Sequence, residues 1–74
     1  MIAAIVAIGD ELTNGFTVDT NSTWLSQNLI QHNIQTIKKI IVQDKKKDII
    51  NAVNELIFIK PQFIFITGGL GPTH

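Results

Sequence analysis

The chain of 74 residues contains no cysteine, and its six basic residues are all lysines. Without cysteine there is no disulfide bond, no thiolate metal ligand and no cysteine nucleophile. Six acidic residues balance the lysines to a formal net charge of zero. This balance leaves no basic surface that would indicate nucleic acid or an anionic membrane as a partner.

Long hydrophobic runs are also missing. No segment is long enough to span a bilayer, and the apolar start lacks the basic residues of a secretory signal before Gly9 ends it. We therefore expect a cytoplasmic protein. The chain is 45% hydrophobic and 16% charged, which is a globular composition, but 74 residues make one small domain at most.

Apolar runs alternate with amphipathic segments along the chain. Continuous apolar runs at residues 3–8 and 63–67 predict strands that are buried on both faces. Residues 34–42 would also suit a helix, but their β-branched content and short length favour a strand. The order β-α-β-α-β predicts an α/β fold of three layers around a parallel sheet.

Two helices are expected between these strands. The first is capped by Thr20 or Asn21 and runs to about His32. Its buried stripe is predicted to comprise Trp24, Leu25 and Leu29, with Ile30 beside them.

The second helix is predicted to begin at Asp44 as N-cap and to end before Pro61. Lys45, Lys46 and Lys47 fall in its first turn, where the helix dipole disfavours cations, and we interpret them as a solvated run rather than an anion site. Its apolar face is predicted to comprise Ile49, Val53, Leu56 and Ile57.

Three loops leave the carboxyl ends of the predicted strands, where parallel sheets bind ligands. They are residues 9–19, 43–44 and 68–74. Asp10 and Glu11 follow the first strand directly, and two adjacent carboxylates could hold a hard metal or accept hydrogen bonds from ligand hydroxyls. A solvated pair that stabilises a turn is the simpler reading of these residues. No pair of nucleophile and base is recognisable.

The third of these loops is rich in glycine. Gly68, Gly69 and Gly71 would let backbone N–H groups approach a ligand, and Thr73 adds a hydroxyl donor. The spacing matches neither the phosphate loop with lysine nor the dinucleotide fingerprint, so the residues alone leave anion binding and a simple turn both open. A loop of this kind normally opens a helix, but the sequence stops at His74, and we expect an interrupted site loop.

Three segments together resemble a known family. They read VAIGDELTNGFTVDTNSTWLSQNL, VQD and FIFITGGLGPT. These segments are similar to the molybdopterin-binding (MoaB/Mog-like) fold, and within it to the N-terminal domain of competence/damage-inducible CinA proteins. The positions that fit the family patterns are Gly9, Glu11, Leu12, Gly15, Val18, Thr20, Asn21, Val42, Asp44 and residues 67–73.

The resemblance implies an α/β domain that binds a phosphorylated, pterin- or nucleotide-like ligand. In the CinA group it also implies a pyrophosphatase that acts on ADP-ribose-like nucleotides with a divalent metal such as Mg²⁺. By this resemblance, phosphate would be cradled by Gly68, Gly69, Gly71 and Thr73. Asp10 and Asn21 would contact the ligand, Glu11 and Asp44 would be catalytic, and Asp44 would also meet the metal.

Some positions depart from the family pattern. Asp19 stands where asparagine is usual and adds negative charge beside a site for anions, Thr13-Asn14 is unusually polar, and His74 stands where the family's aspartates are near. We expect residues 1–74 to be the N-terminal portion of one such domain, inactive alone and self-associating. The alternatives are a molybdopterin-binding module of cofactor biosynthesis and a non-catalytic, oligomerising remnant.

Overall fold

A computed structural model describes residues 1–15 and 18–68 of the chain. Within them, strands and helices follow one another in the predicted order, with one short additional helix after the first strand. The elements are β1 (Ile2–Ile8), α1 (Asp10–Thr13), α2 (Thr20–Ile30), β2 (Gln35–Val42), α3 (Lys46–Ile59) and β3 (Phe63–Gly68).

The three strands form one parallel sheet in the order β2-β1-β3. The predicted α/β fold with a parallel sheet is therefore confirmed, and so is the reading of residues 34–42 as a strand. The central strand β1 is apolar throughout because it has a neighbouring strand on each side and a helical layer on each face. Six of its residues, from Ala3 to Ile8, are at most 6% exposed.

The order of the strands makes the sheet doubly wound. From β1 the chain crosses to β2 on one side, and from β2 it crosses back over β1 to β3 on the other side. Because both crossovers of parallel strands are right-handed, their helices lie on opposite faces of the sheet. The direction of winding reverses between β1 and β3, and such a switch point leaves a crevice at the carboxyl ends of the strands.

Helix α3 covers one face of the sheet. Ala52 and Leu56 are its buried residues, and they pack with alternate residues of β1 into the main core. The predicted contacts of Ile49 and Val53 with this core are confirmed. The prediction for Ile57 is wrong, since this residue is 54% exposed. It lies about 100° around the helix from the buried Leu56 and points along the flank of α3.

Helix α2 is amphipathic in a different register from the predicted one. Leu29 is buried as expected, but Trp24 is 65% and Ile30 is 63% exposed. The inward positions are instead 22, 25, 26 and 29, and they include the fully buried Ser22. A small polar residue occupies the sheet side of the helix because Asp19 satisfies its hydroxyl and its backbone N–H.

Both predicted caps lie one or two residues away from the observed ones. Asp19, and neither Thr20 nor Asn21, caps α2 and accepts a hydrogen bond from the backbone N–H of Ser22. The N-cap of α3 is Lys45, without a side-chain bond, in place of Asp44. Asp44 lies one residue before this cap, and its own N–H donates to Asp10 Oδ1.

No helix in residues 1–15 and 18–68 is long and apolar enough to cross a membrane.

Candidate ligand-binding site

A small pocket lies at the switch point between the carboxyl ends of β1 and β3. Its cavity volume is about 140 Å³. The sheet contributes its floor through Ile8 and Thr67, and the segments after β1 and before α2 contribute its walls. The described residues that line it are Ile8, Glu11, Leu12, Val18, Asp19, Thr20, Asn21, Thr67 and Gly68.

Gly68 closes the sheet side of this pocket. It is paired with Ile8 in the parallel ladder and has a φ of +83°, a conformation that side chains other than glycine rarely adopt. A Cβ atom at this position would overlap the carbonyl oxygen of Ile8. The glycine is therefore needed for the close approach of the two strand ends, whatever contact it also makes with a ligand.

Glu11 reaches the pocket from the short helix α1. Its carboxylate folds back over Gly9, since a Cβ atom on Gly9 would lie 2.7 Å from Glu11 Oε1. Gly9 itself is fixed by a hydrogen bond from its N–H to the carbonyl oxygen of Val42, at 3.0 Å. Because glycine has no side chain, the Glu11 carboxylate can lie against Gly9, next to the strand ends.

Asp19 joins the N-terminus of α2 to the sheet. Its Oδ1 accepts the backbone N–H of Ser22 at 3.2 Å, its Oδ2 accepts the Ser22 hydroxyl, and Lys39 Nζ of β2 lies 3.3 Å from the same Oδ2. Burial raises the pKa of Asp19, but the hydrogen bonds from Ser22 and the charge of Lys39 outweigh it and hold the pKa below its usual value. The carboxylate is therefore ionised and paired.

This pairing accounts for the departure of Asp19 from the family pattern. The negative charge does not stand free beside the pocket, because Lys39 compensates it and Ser22 hydrogen-bonds it. Sequence reasoning missed both the cap and the ion pair. The signal for the cap was present, since aspartate is among the preferred N-cap residues. No signal in the sequence pointed to Lys39, which is 20 residues away.

Asp10 and Asp44 meet on the other side of β1. The backbone N–H of Asp44, after β2, donates to Asp10 Oδ1 at 3.0 Å. The predicted convergence of the loops after β1 and β2 is thus present as a direct contact. Neither residue is among the described residues that line the pocket, whereas Glu11, Asn21 and Gly68 are. The predicted site residues therefore fall into two groups, one on each side of the end of β1.

Within residues 1–15 and 18–68, no three His, Cys, Asp or Glu side chains lie close enough together to hold a metal ion. The metal role predicted for Asp44 is not tested by these residues alone and stays a prediction. Gly69, Gly71 and Thr73, which were predicted to cradle phosphate, lie outside the described residues.

The described walls of the pocket are better suited to hydroxyl and N–H groups of a ligand than to its phosphate groups. Glu11 offers an exposed carboxylate, and Thr20, Asn21 and Thr67 offer neutral donors and acceptors. The N-terminus of α2 would attract an anion, but Asp19 already occupies it as the cap. None of Lys45, Lys46 and Lys47 is among the described lining residues, and all three are exposed.

Comparison with known proteins identifies similar chains. The family described as "Probable molybdopterin binding domain" matches residues 4–74. Protein PH0439 of Pyrococcus horikoshii is 45% identical over 74 residues, which are 100% of this chain and 29% of that protein. A CinA-like protein of Geotalea uraniireducens is 38% identical over 73 residues, which are 99% of this chain and 17% of that protein.

A solved structure shares the fold. The crystal structure of the protein CinA, of unknown function, from Thermoplasma acidophilum superposes with a TM-score of 0.84 at 28% sequence identity. The match covers 97% of this chain and 42% of that chain. The chain thus spans less than a third of the length of the two curated relatives and less than half of the solved one.

Proposed function

The chain belongs to the family of probable molybdopterin binding domains, and we propose that it binds a phosphorylated pterin- or nucleotide-like ligand in the crevice between the carboxyl ends of β1 and β3. The observation that carries this proposal is the pocket at the switch point of the sheet. Doubly wound parallel sheets bind their ligands at such points, because the diverging crossovers leave the strand ends uncovered there.

The pocket is too small for a whole ligand, so it would hold one part of the ligand and leave the rest outside. A cavity of about 150 Å³ accommodates a single six-membered ring, and whole ligands usually require about 300 Å³ or more. The pocket of about 140 Å³ therefore suits one ring of the ligand, such as a pentose or one of the two fused rings of a pterin. The phosphate groups would extend past Gly68, in the direction that the family resemblance also gives for them.

The polar groups of the pocket suit the ring part. The Glu11 carboxylate accepts hydrogen bonds from ring N–H or sugar hydroxyl groups, and the Asn21 amide both donates and accepts. Ile8 and Leu12 supply apolar contacts to the ring. Gly68 allows the ligand to approach the end of β3 without meeting a side chain.

Hydrolysis of a pyrophosphate is a separate proposal that rests on the resemblance to CinA proteins. The acidic residues predicted for the site lie in two places. Glu11 lines the pocket, while Asp10 lies beside the Asp44 backbone on the other side of β1. Residues 1–15 and 18–68 do not assemble three acidic or histidine ligands, so a metal-dependent hydrolysis would require further ligands from outside them. Binding is the function that we take as primary.

The test is isothermal titration of the chain with ADP-ribose and, separately, with a pterin monophosphate. We expect one of them to bind and Glu11→Gln to lower its affinity on the order of tenfold, since one charge-assisted hydrogen bond is lost. Glu55→Gln, an exposed change on α3, is the matched control and should leave the affinity unchanged. Binding of neither ligand, or equal effects of the two variants, would contradict the proposal.

A further inference from the structure

Asp19 is the buried charge in the wall of the pocket. Its side chain is only 7% exposed, whereas Glu11 on the other wall is exposed. These two carboxylates are the only charged groups among the described residues that line the pocket. Because water screens a buried charge less than an exposed one, Asp19 acts strongly on any group that enters beside it.

The Asp19 carboxylate lies at a point where three donors converge. The Ser22 backbone N–H donates to Oδ1 at 3.2 Å, the Ser22 hydroxyl donates to Oδ2, and Lys39 Nζ lies 3.3 Å from Oδ2. A helix N-terminus with a nearby cation is an arrangement that also binds phosphate. The chain therefore fills this anion position with a side chain of its own.

Lys39 compensates the charge of Asp19 from the side away from the pocket. It lines a separate depression together with Ser26 and Thr36, and it is not among the described residues of the ligand pocket. Burial raises the pKa of Asp19, but Ser22 and Lys39 lower it further, so the carboxylate stays charged at neutral pH. The ion pair is neutral as a whole, and its negative end faces the pocket.

We propose that Asp19 is a specificity-determining residue that excludes phosphate from the α2 side of the pocket. The ligand then enters with an unphosphorylated ring and keeps its phosphate groups on the Gly68 side. This inference rests on the function proposed above, because it concerns the same pocket. It narrows the substrate class to ligands whose inserted ring carries free hydroxyl or N–H groups, since a fixed negative charge selects against a second phosphate there.

The residues that repel a phosphate are suited to hold a hydroxyl. A carboxylate has about four acceptor positions, of which the contacts with Ser22 and Lys39 use three in Asp19. One position is left for a ligand hydroxyl or N–H, and Glu11 offers further acceptors from the other wall. A hydroxyl therefore gains a hydrogen bond at the place where a phosphate meets two negative charges.

The first experiment tests the exclusion of phosphate without a known ligand. Inorganic phosphate is titrated into the chain and into Asp19→Gly, and the amide resonance of Ser22 is followed by NMR. Glycine is an accepted N-cap residue, so the variant should fold, and it leaves the position between Ser22 and Lys39 open. We expect a saturable shift in the millimolar range for Asp19→Gly and none for the unaltered chain.

Two further variants make this result specific. Asp48→Asn removes one negative charge from the first turn of α3, and it should behave like the unaltered chain. Lys39→Met, introduced together with Asp19→Gly, removes the cation and should weaken phosphate binding on the order of tenfold.

The second experiment measures the discrimination between ligands. Isothermal titration compares ADP-ribose with its two derivatives that carry an additional phosphate, one on each pentose. We expect one derivative to bind the unaltered chain on the order of 100-fold more weakly than ADP-ribose. Asp19→Asn keeps a capping side chain but not the charge, and it should reduce this difference to about tenfold.

Phosphate binding at Ser22 of the unaltered chain would overturn the inference. So would a failure of Asp19→Gly to bind phosphate while its amide spectrum is that of a folded chain, or an undiminished discrimination in Asp19→Asn. Absence of binding by both ADP-ribose and the pterin monophosphate would contradict the function proposed for the pocket, whereas the phosphate titration decides the role of Asp19 by itself.

Discussion

Asp19 and Lys39 form an ion pair of 3.3 Å between Oδ2 and Nζ that ties the first turn of α2 to strand β2. The Asp19 side chain is only 7% exposed, and the Lys39 side chain is 34% exposed. The same carboxylate caps α2 through Ser22, which is fully buried. One side chain therefore sets both the start of the helix and the rotation that turns Trp24 outward.

The first prediction concerns the pH dependence of stability. The pKa of Asp19 is lower in the folded chain than in the unfolded chain, so the unfolded chain binds more protons as the pH falls. The stabilisation from Asp19 should be complete above about pH 4, its ordinary pKa, and should be lost as the pH falls further through the folded pKa. Urea unfolding between pH 2.5 and 7 measures this.

Two variants test whether Asp19 is responsible for the loss of stability at acid pH. Asp19→Ala should lower the free energy of unfolding at pH 7 by about 0.5–2 kcal/mol through loss of the cap. It should also remove part of the decline below pH 4. Asp48→Asn, in the first turn of α3, is the control and should keep that decline. An unchanged profile in Asp19→Ala would show that the carboxylate is not stabilised in the folded chain.

The second prediction compares two glycines with positive φ. Gly68→Ala should destabilise the chain by about 3 kcal/mol or more, because the new Cβ meets the backbone of Ile8 in addition to the backbone strain. Gly15→Ala has a similar φ of +77° but no atom within 4 Å of the new Cβ, so its cost should be about 1 kcal/mol. Thermal unfolding in dilute solution distinguishes the two, and equal losses would refute the close contact.

The third prediction tests the core under α3. Leu56 is fully buried and packs against β1, so Leu56→Ala should cost about 2–5 kcal/mol. Phe58, two residues later, is 87% exposed, and Phe58→Ala should change the free energy of unfolding by less than about 0.5 kcal/mol. Chemical denaturation measures both. A large effect of Phe58→Ala would mean that the outer face of α3 is covered in solution.

The fourth prediction concerns the contact between Asp10 and Asp44. Asp10→Ala removes the acceptor of the Asp44 backbone N–H, so this amide should exchange its hydrogen faster in the variant. The amide of Gly9, which donates to Val42 at 3.0 Å, is the internal control and should keep its rate. Hydrogen exchange followed by NMR reports both amides. Equal acceleration at the two positions would indicate general loosening of the strand ends.

The sequence by itself determined the class of fold and the family. The strands predicted at 3–8, 34–42 and 63–67 correspond to β1, β2 and β3 within two residues at each end. The expectation of burial on both faces is confirmed for β1 and is wrong for β3, where Phe63 and Ile66 are 39% and 53% exposed in the described part of the chain. The motifs from Gly9 to Asn21 and from Thr67 onward were sufficient for the family, which the match over residues 4–74 confirms.

Only the tertiary structure decided the rotation of the helices and the grouping of the site. Trp24 and Ile57 were assigned to buried faces by hydrophobicity, but packing turned Ser22 inward on α2 and left Ile57 on the flank of α3. The strand order β2-β1-β3 placed Glu11, Asn21 and Gly68 on one side of β1 and the contact between Asp10 and Asp44 on the other. Neighbours in a sheet are distant in sequence, so no local pattern of residues specifies which strand end faces which.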